Sequence, residues 1–317
     1  MTPRAPDGLS LVLGAGGFLG SHIGAWLARA GGRARLFDLS VETIPPAVRA
    51  APGIEVVQGN MLDEEDLARA LRGVDRVFHL ICATVPSTSV DRPDVEIQAN
   101  VIPTVRLLES MRRAGAPLVI FPSSGGTLYG DAGTAGVFTE EAPVRPSCSY
   151  GLGKVMIEQL LDFRAHEGGP HFIALRFSNP YGPSVHDHRR QGVVNAFLQG
   201  VQRDEPLQVW GDGSAVRDFL YIDDLIAAVA AVCDAGVRDE ALNVGSGVGH
   251  SILEVIALIR AVTGRNPRIE HVPGAYHGVA RNVLGIARIH ARTGWTPVVD
   301  LRAGIARTWA AMTTANP

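Results

Sequence analysis

Short apolar runs alternate with amphipathic stretches along the first half of the chain. The runs are rich in Val, Ile, Leu and Phe, and the stretches between them place apolar residues at helical spacing. Buried strands that alternate with helices are typical of a parallel sheet covered on both faces, and right-handed connections make that sheet doubly wound. The pattern predicts strands over residues 9–13, 34–37, 54–57, 76–82, 118–122 and 172–177, and helices over residues 21–30, 64–71, 95–113 and 150–165.

The pattern changes after about residue 180. Gly, Pro and His become more frequent, a short strand is predicted over residues 207–210, and loops are predicted over residues 179–192, 211–214, 245–249 and 273–278. We therefore predict an α/β protein with a doubly wound sheet in residues 1–180, to which later segments return. Residues 181–317 are predicted to form mainly a smaller lobe beside that sheet.

Composition and charge exclude several classes of protein. Of the 317 residues, 46% are hydrophobic, which suffices for a sizeable core and argues against disorder. The net charge of -3 gives no reason to expect nucleic acid or an anionic membrane as a partner. Residues 8–28 lack charged side chains, but six glycines interrupt them. We expect a soluble domain in the cytoplasm rather than a membrane span there.

The cysteines and histidines do not indicate a metal site. Cys82, Cys148 and Cys233 are scattered without CxxC spacing, so we expect small buried side chains rather than disulfides or zinc ligands. His186 and His188 share a loop with two arginines and lack partners at metal-ligand spacing. We assign no metal.

A glycine-rich turn directly follows the first predicted strand and opens a helix. Gly14 permits the tight turn, Gly17 lets a pyrophosphate approach the backbone, and Gly20 lets helix and strand pack closely. The helix N-terminus offers N–H groups to the anion. Asp38 follows 18 residues after Gly20, where a carboxylate accepts ribose hydroxyls and opposes a 2′-phosphate. The combination predicts a Rossmann-type domain that binds NAD rather than NADP.

A second group of residues has the composition of an acid–base site. Tyr150 and Lys154 are four residues apart and share a helix face. The ammonium favours the phenolate, so it is expected to lower the pKa of Tyr150 toward the working range of a general base. The strand before this helix ends in a turn rich in hydroxyl groups, with Ser123, Ser124 and Thr127, at the sheet edge where such folds bind ligands.

With these motifs in order, the chain resembles the extended short-chain dehydrogenase/reductases, in particular the NAD-dependent epimerase/dehydratase group that acts on nucleotide sugars. The resemblance covers nearly the whole chain. Its further motifs are Asn60-Met61, His79-Leu80-Ile81-Cys82, Asn100, Tyr129-Gly130, Arg176-Phe177-Ser178-Asn179, Arg217-Asp218-Phe219, Asp223-Asp224, Asn243 with Gly245, and Gly294-Trp295.

The resemblance implies a mechanism and a set of contacts. Tyr150, held as a phenolate by Lys154, would take the proton from a sugar hydroxyl, typically at C4, while hydride passes to the nicotinamide. The implied cofactor contacts are Gly14, Gly17, Phe18, Leu19, Gly20, Asp38, Asn60, Met61, Leu80, Ile81, Cys82, Asn100, Ser123, Tyr150, Lys154 and Phe177. The implied substrate contacts are Thr84, Ser124, Asn179, Val193, Val209, Arg217 and Arg281.

The chain departs from the family pattern in the turn after the fifth strand. The usual Ser or Thr that contacts the reacting hydroxyl falls on Gly125, so we predict that Ser124 or Thr127 replaces it. Gly126 and Thr127 stand where sugar 4,6-dehydratases carry Asp and Glu, and the Glu of related decarboxylases is also missing. Only oxidation and reduction, at C4, are then supported.

A second departure lies near the C-terminus. The family's diphosphate-binding Arg and the Asp after it fall on Ala275 and Gly278. We predict that Arg281 or His277 compensates, or that the substrate differs. Gly285 stands where the family often has Asp.

The sequence leaves three functions open. The leading hypothesis is an NAD-dependent nucleotide-sugar 4-epimerase with a transient ketone. The alternatives are a reductase of 4-ketohexoses that consumes NADH or NADPH, and a degenerate NAD-binding homologue. The resemblance also implies a homodimer, in which helices 95–113 and 150–165 of each subunit pack into a four-helix bundle.

Overall fold

The computed structural model describes residues 3–84, 92–130, 137–184, 192–272 and 279–315. The strands are β1 (Leu9–Leu13), β2 (Arg33–Asp38), β3 (Ile54–Gln58), β4 (Arg76–His79), β5 (Leu118–Ser124), β6 (His171–Phe177), β7 (Asn179–Tyr181), β8 (Leu207–Trp210), β9 (Val216–Tyr221), β10 (Glu240–Val244), β11 (Gly249–Ser251), β12 (Ile269–Val272) and β13 (Arg281–Asn282). The helices are α1 (Phe18–Arg29), α2 (Pro46–Arg49), α3 (Glu64–Ala70), α4 (Pro93–Glu96), α5 (Ile102–Ala114), α6 (Ser149–His166), α7 (Val193–Arg203), α8 (Ile222–Asp234), α9 (Ile252–Thr263), α10 (Ala287–Thr293) and α11 (Leu301–Ala315).

Within the described ranges, seven parallel strands form the central sheet in the order β10-β6-β5-β4-β1-β2-β3. The chain builds outward from β1 to β3 and then returns to β4 on the other side of β1. This reversal opens a crevice at the carboxyl ends of β1 and β4, which is where open α/β sheets bind ligands. The predicted doubly wound sheet is confirmed.

Helices cover both faces of this sheet because its strands are apolar on both sides. On one face the Trp26 indole of α1 packs edge-to-face on Phe78 of β4, with ring centres 6.5 Å apart. On the other face Leu107 and Met111 of α5 pack with Phe121 of β5 in a second buried cluster. Among the described residues, no helix combines the length and the apolar character needed to cross a membrane.

The fourth predicted strand is shorter than the sequence pattern indicated. β4 ends at His79, although the Leu80 N–H still donates to the Leu13 carbonyl at 3.0 Å. Cys82 therefore lies beyond the sheet and is exposed, and the expectation that it is buried was wrong. Cys148 and Cys233 are half-buried.

The predicted helix over residues 95–113 is helical but not uniform. A π-helical turn at Ile97–Val101 separates α4 from α5. Pro103, near the start of α5, has no N–H to donate to the carbonyl four residues earlier, and the wider turn lies over that gap. Asn100 is in this turn, so its side chain is directed by the π geometry rather than by a regular helix.

The smaller lobe is built around β9. This strand pairs with β7 and β13 in parallel and with β11 antiparallel, while β8 and β12 form a separate parallel pair. The predicted loops over residues 179–192 and 245–249 are thus partly strand, because the lobe supplies edge partners that no local pattern reveals. β10 returns to the central sheet beside β6, and the domain boundary at residue 180 stays a prediction.

Candidate active site

The turn between β1 and α1 has the backbone geometry of an anion site. Gly14 adopts φ 84°, which glycine tolerates, and its N–H donates to the Phe37 carbonyl at 2.9 Å. A Cβ atom on Gly20 would collide with the Gly14 carbonyl oxygen, so α1 approaches β1 this closely only with glycine. Gly17 is the N-cap of α1, and because it has no side chain it leaves the first N–H groups of the helix uncapped. The first-turn N–H groups of α1 therefore fit the predicted pyrophosphate.

Asp38 ends β2 at the opposite side of this turn and is half-buried. Its Oδ2 accepts the N–H of Gly16 at 2.8 Å, and its Oδ1 accepts the N–H of Ser40 at 3.2 Å. A carboxylate oxygen can accept more than one hydrogen bond, so both oxygens retain the capacity to bind ribose hydroxyls.

Other residues predicted to contact the cofactor lie at the start of α1 or at the carboxyl ends of the central strands. Phe18 and Leu19 begin α1, and Phe177 is the last residue of β6. The Ser123 hydroxyl of β5 is buried and has no hydrogen-bond partner within the described part of the chain. A buried polar atom without a partner is unusual in a folded protein, and a ligand group in the crevice would satisfy it. The remaining positions directly follow β3 and β4; they are Asn60, Met61, Leu80, Ile81 and Cys82.

The two predicted asparagines are already engaged with the protein. The Oδ1 of Asn60 accepts the N–H of Leu62 at 3.0 Å within a local turn. The Oδ1 of Asn100 accepts the N–H of Ala83 at 2.8 Å, and its Nδ2 donates to the Thr84 hydroxyl at 2.9 Å. Asn100 therefore holds the segment that follows β4, and through it the crevice wall.

Tyr150 and Lys154 lie one turn apart on α6, close to the end of β5. The Lys154 ammonium is 5.4 Å from the centre of the Tyr150 ring and 4.5 Å from that of Phe121. It also donates to the Pro122 carbonyl of β5 at 2.8 Å. Lys154 is the chain's only lysine and is buried, so its charge acts at short range on the tyrosine.

The electrostatics of this pair differ from the sequence expectation. Burial raises the pKa of Tyr150, and the Lys154 charge opposes that effect without reversing it. Burial alone would lower the pKa of Lys154, but the Tyr150 phenolate and nearby acidic groups raise it above its ordinary value. As predicted, Lys154 lowers the pKa of Tyr150, but in the chain without ligands burial raises that pKa by more.

Gly125 has a steric explanation. A Cβ atom there would lie 2.6 Å from Cδ1 of Leu284, which is fully buried. The Gly125 N–H donates to the Phe177 carbonyl at 2.8 Å, and its carbonyl accepts Asn282 Nδ2 at 3.0 Å. Leu284 therefore fills the space that a serine or threonine side chain would need.

The hydroxyls of Ser124 and Thr127 are joined. Thr127 Oγ1 donates to Ser124 Oγ at 2.9 Å, which leaves the Ser124 proton available to a further acceptor. β5 extends through Ser124, two residues beyond the prediction, because Ser123 and Ser124 pair in register with Arg176 and Phe177 of β6. The two predicted substitutes thus act as one pair in which Ser124 is the donor.

The residues predicted to bind substrate fall into two sets. Asn179 pairs in register with Phe219, so it shares a face of the small sheet with Arg217. Arg217 is buried and donates to the Val216 carbonyl at 2.6 Å and the Val279 carbonyl at 2.7 Å. The Nδ2 of Asn179 donates to the Asp218 carbonyl at 2.8 Å.

Arg281 is not on that face. It pairs in register with Val216, the neighbour of Arg217, and alternate residues of a strand point to opposite faces. Val209 of β8 is fully buried, and Val193 begins α7 and is half-buried. The predictions on Ala275, His277, Gly278, His186 and His188 concern positions outside the described residues.

No role for Asp218 follows from the sequence alone. Its carboxylate is fully buried and accepts the N–H groups of Ser246 at 2.7 Å, Gly247 at 3.1 Å and Leu284 at 3.2 Å. Burial raises the pKa of Asp218, and these hydrogen bonds oppose the effect. Asp218 therefore fixes the segment that brings Leu284 against Gly125. A charged residue inside an apolar strand was the available signal.

A sequence model of the NAD dependent epimerase/dehydratase family matches residues 10–245. The chain belongs to this family. A UDP-glucose 4-epimerase of Mycolicibacterium smegmatis is 32% identical over 305 residues, covering 94% of this chain and 96% of the relative. A dTDP-4-dehydro-6-deoxyglucose reductase of Escherichia coli is 33% identical over 232 residues, 73% of each chain. The crystal structure of Thermus thermophilus UDP-glucose 4-epimerase with NAD matches with TM-score 0.88 and 29% identity, over 97% of this chain and 99% of that one.

Membership of the NAD dependent epimerase/dehydratase family confirms the resemblance seen in the sequence and NAD as the cofactor. Three features of the crevice fit NAD: the first-turn N–H groups of α1, the Asp38 carboxylate and the unpartnered Ser123 hydroxyl. When bound, NAD supplies a hydride acceptor and, for the reverse step, a hydride donor.

Proposed function

We propose that this protein epimerises a nucleotide sugar at C4 through a transient 4-keto intermediate, with NAD as cofactor. One observation carries the proposal. Lys154, one turn from Tyr150, donates to the Pro122 carbonyl of β5, the strand that ends at the Ser124 hydroxyl to which Thr127 donates, and residues 123–130 contain no carboxylate. Such a site moves a proton to and from a hydroxyl but lacks the acids for dehydration or decarboxylation. The 4-epimerase relatives agree with this assignment.

In the proposed reaction Tyr150 moves the proton, Lys154 stabilises its charge, and Ser124 stabilises the C4 oxygen by a hydrogen bond. The Tyr150 oxygen, as a phenolate, accepts the proton of the C4 hydroxyl as the alcohol is oxidised, and returns it when the ketone is reduced from the other face. Lys154 stabilises the phenolate from its fixed position on the Pro122 carbonyl. The Ser124 hydroxyl donates a hydrogen bond to the C4 oxygen and keeps its proton, while Thr127 holds the serine oxygen in place.

The nucleotide half of the substrate is assigned to the small lobe. Arg217 and Asn179 share a sheet face, and both are held by backbone carbonyls. We propose that this pair contacts the diphosphate and nucleotide, with Val193 and Val209 near the base and Thr84 near the sugar. Arg281, on the opposite face by register, is proposed as a weaker contact.

The direct test is turnover by the protein with NAD and no other additive. UDP-, dTDP- and GDP-hexoses are offered in turn, and NMR follows the configuration at C4. An epimerase equilibrates two sugars and retains its NAD. If every sugar stays unchanged and NAD is bound, epimerisation is excluded.

A reductase of 4-keto sugars is the second candidate, and the Escherichia coli relative favours it. The two functions differ in cofactor balance. A reductase consumes NADH or NADPH in equal amount with a 4-keto sugar, whereas an epimerase needs none added. Absorbance of the reduced cofactor measures this directly.

A degenerate NAD-binding homologue is the third candidate. Gly125 motivates it, but the Ser124–Thr127 pair argues for retained chemistry. Tyr150→Phe separates the cases. In an enzyme that uses this site it abolishes turnover, whereas Tyr150→Phe without effect on any turnover found indicates a degenerate homologue.

We also propose that the protein is a homodimer through α5 and α6. Three large apolar side chains on these helices are exposed: Ile102 is 42% exposed, Leu152 37% and Phe163 55%. A second α5–α6 pair from another copy would bury them in a four-helix bundle. The cytoplasmic location also stays a prediction.

Light scattering of the purified protein tests the dimer. The expected mass is twice the 33.6 kDa of one chain, and Phe163→Glu is expected to give monomers. Val298→Glu is the matched control, since Val298 is 82% exposed and lies on neither helix. A monomeric wild-type mass would exclude the bundle.

A further inference from the structure

A buried carboxylate lies against the helix that carries Tyr150 and Lys154. Glu96, the last residue of α4, is 1% exposed. A Cβ atom on Gly153 of α6 would come within 2.6 Å of Glu96 Oε1 and 2.9 Å of its Cδ. The side chain of Glu96 therefore occupies the space that glycine leaves open, one residue before Lys154.

Glu96 is held by a small hydrogen-bond network. Its Oε2 accepts the Thr84 hydroxyl at 2.6 Å and its Oε1 accepts the Asn100 amide at 2.7 Å. Both oxygens act as acceptors, which is the pattern of an ionised carboxylate. Asn100 in turn donates to Thr84 at 2.9 Å, so the three side chains form a closed triangle. This triangle fixes Thr84 at the crevice.

The network continues to a buried histidine. Thr104 Oγ1 donates to the Asn100 carbonyl at 2.7 Å and is 2.9 Å from His79 Nε2. Because the threonine proton is used, Nε2 is the protonated nitrogen of the His79 ring. Burial, followed by the Lys154 charge, lowers the pKa of His79 to about 3, so its ring is neutral and adds no charge to the site.

Four groups act electrostatically on Tyr150. Lys154 on its own helix lowers its pKa, whereas Cys82 after β4, Glu96 of α4 and Cys148 before α6 raise it. Glu96 also raises the pKa of Lys154, together with Tyr150, Cys82 and Glu158. Lys154 thus acts on a tyrosine whose pKa it lowers, while the Glu96 carboxylate raises the pKa of Lys154 itself.

We propose that Glu96 is a positioning residue of the active site, which enters the space left by Gly153, holds Thr84 at the sugar end of the crevice and balances the charge of Lys154. The proposal rests on Tyr150 being the base of the proposed function. The Glu96 charge contributes to the raised pKa of Lys154, and it holds the tyrosine less acidic than Lys154 alone would make it.

The test compares three variants with NAD bound and no substrate. Glu96→Gln keeps the shape and can still accept from Asn100. Its amide can donate to the Thr84 oxygen, but the Thr84 proton loses its acceptor, so the variant removes the charge and one hydrogen bond. Tyrosinate absorbance is followed against pH, and Tyr150→Phe identifies which part of the signal belongs to Tyr150. We expect the Tyr150 midpoint of Glu96→Gln to fall by about half a pH unit or more.

Asp94→Asn is the matched control. Asp94 lies two residues before Glu96 on α4, is bonded to Arg92, and has a side chain that is 58% exposed. The same charge is removed, but in solvent, so the Tyr150 midpoint is expected to stay in place. An equal shift in both variants would contradict a specific role of Glu96.

Two further outcomes decide the proposal. In turnover, the acid limb of the pH profile of kcat/KM is expected to move to lower pH in Glu96→Gln by the same amount, since a more acidic tyrosine stays ionised at lower pH. An unchanged tyrosinate midpoint in a folded Glu96→Gln protein overturns the proposal. Because the absorbance titration needs no substrate, a failed epimerase assay leaves this test intact.

If Glu96→Gln does not fold, Gly153→Ala takes its place. The added methyl group would occupy the position of the Glu96 carboxyl, which must then move away from α6. The Tyr150 midpoint is again expected to fall. A midpoint that stays or rises in Gly153→Ala contradicts the proposal.

Discussion

The turn after β1 and the turn after β5 are both rich in glycine, but glycine has a different reason in each. In the first turn, a Cβ atom on Gly20 would meet the Gly14 carbonyl oxygen, a backbone atom of the same motif. In the second, a Cβ atom on Gly125 would meet Leu284, a side chain brought by a distant segment that Asp218 holds. The first glycine is required by backbone geometry alone, whereas the second is constrained mainly by the side chain of Leu284, with the Arg176 carbonyl oxygen 3.2 Å from the position of the added Cβ atom.

This difference bears on what each turn can tolerate. A backbone atom cannot be exchanged by mutation, so the first turn admits no compensating change. A leucine can be made smaller, so the second turn can in principle regain a side chain at residue 125. The chain therefore has a large side chain at Leu284 in place of a hydroxyl side chain at residue 125. The missing hydroxyl at Gly125 does not by itself indicate lost activity.

The largest expected effect is on the first turn. Gly20→Ala places a methyl group against the Gly14 carbonyl oxygen and must push α1 away from β1. We expect loss of detectable NAD binding by calorimetry, together with a destabilisation of about 1–3 kcal/mol from overpacking. Binding of NAD at wild-type affinity would contradict the assignment of this turn.

Gly24→Ala is the matched control for that experiment. Gly24 lies one turn further along α1, and its added Cβ would lie 3.4 Å from the Leu36 methyl groups, which is ordinary contact. Alanine also favours the helix by roughly 1 kcal/mol relative to glycine. NAD affinity is expected to stay at the wild-type value, which separates a general helix effect from the turn itself.

The same contrast explains how far the sequence was sufficient. The doubly wound sheet and the cofactor turn follow from hydrophobic periodicity and from the local spacing of Gly14, Gly17 and Gly20, whereas β10 at the sheet edge was not predicted. These features depend on residues close in sequence. Tyr150 and Lys154 could be placed on one helix face for the same reason.

What the sequence did not reveal depends on contacts between distant segments. Asn282 bonds the Gly125 carbonyl across 157 residues, and Leu284 comes with it. β7 is strand only because β9 lies beside it, and the position of Glu96 depends on the absence of a side chain at Gly153. The net rise of the Tyr150 pKa also needed the fold, because burial is a tertiary property.

The next effect concerns the hydroxyl pair of the second turn. Ser124→Ala removes the hydrogen-bond donor to the C4 oxygen, and we expect kcat to fall by about 100-fold, as for loss of one donor to a developing oxyanion. Thr127→Val removes only the hydrogen bond that holds Ser124, and a fall of roughly tenfold or less is expected. Steady-state kinetics of both variants measure this. A larger fall for Thr127→Val than for Ser124→Ala would reverse their roles.

The exchange between Gly125 and Leu284 is tested by a double-mutant cycle. Gly125→Ser alone is expected to cost about 1–3 kcal/mol by overpacking, and Leu284→Ala alone about 2–5 kcal/mol by leaving a cavity. Because the serine occupies part of that cavity, the double variant is expected to lose less than the sum, by about 1 kcal/mol. Urea unfolding of the wild type and the three variants gives the three losses in free energy of unfolding. Additive losses would show that Leu284 and residue 125 do not share this space.

The smallest expected effect separates the two turns by pH. The residues from Gly14 to Gly20 contain no ionisable side chain, so NAD binding is expected to change little with pH around neutrality. Turnover depends on ionised Tyr150, whose pKa burial raises and Lys154 lowers. Lys154→Met removes the lowering contribution, so the Tyr150 pKa should rise.

The sign of the shift follows from the role of the base. Tyr150 acts when deprotonated, so activity is lost as pH falls through its pKa, and a higher pKa moves this acid limb to higher pH. We expect a shift of about one pH unit in kcat/KM for Lys154→Met. Arg164→Met, a cation removed further along α6, should leave the limb in place. An acid limb that moves to lower pH in Lys154→Met would mean that the titrating base is a group other than Tyr150.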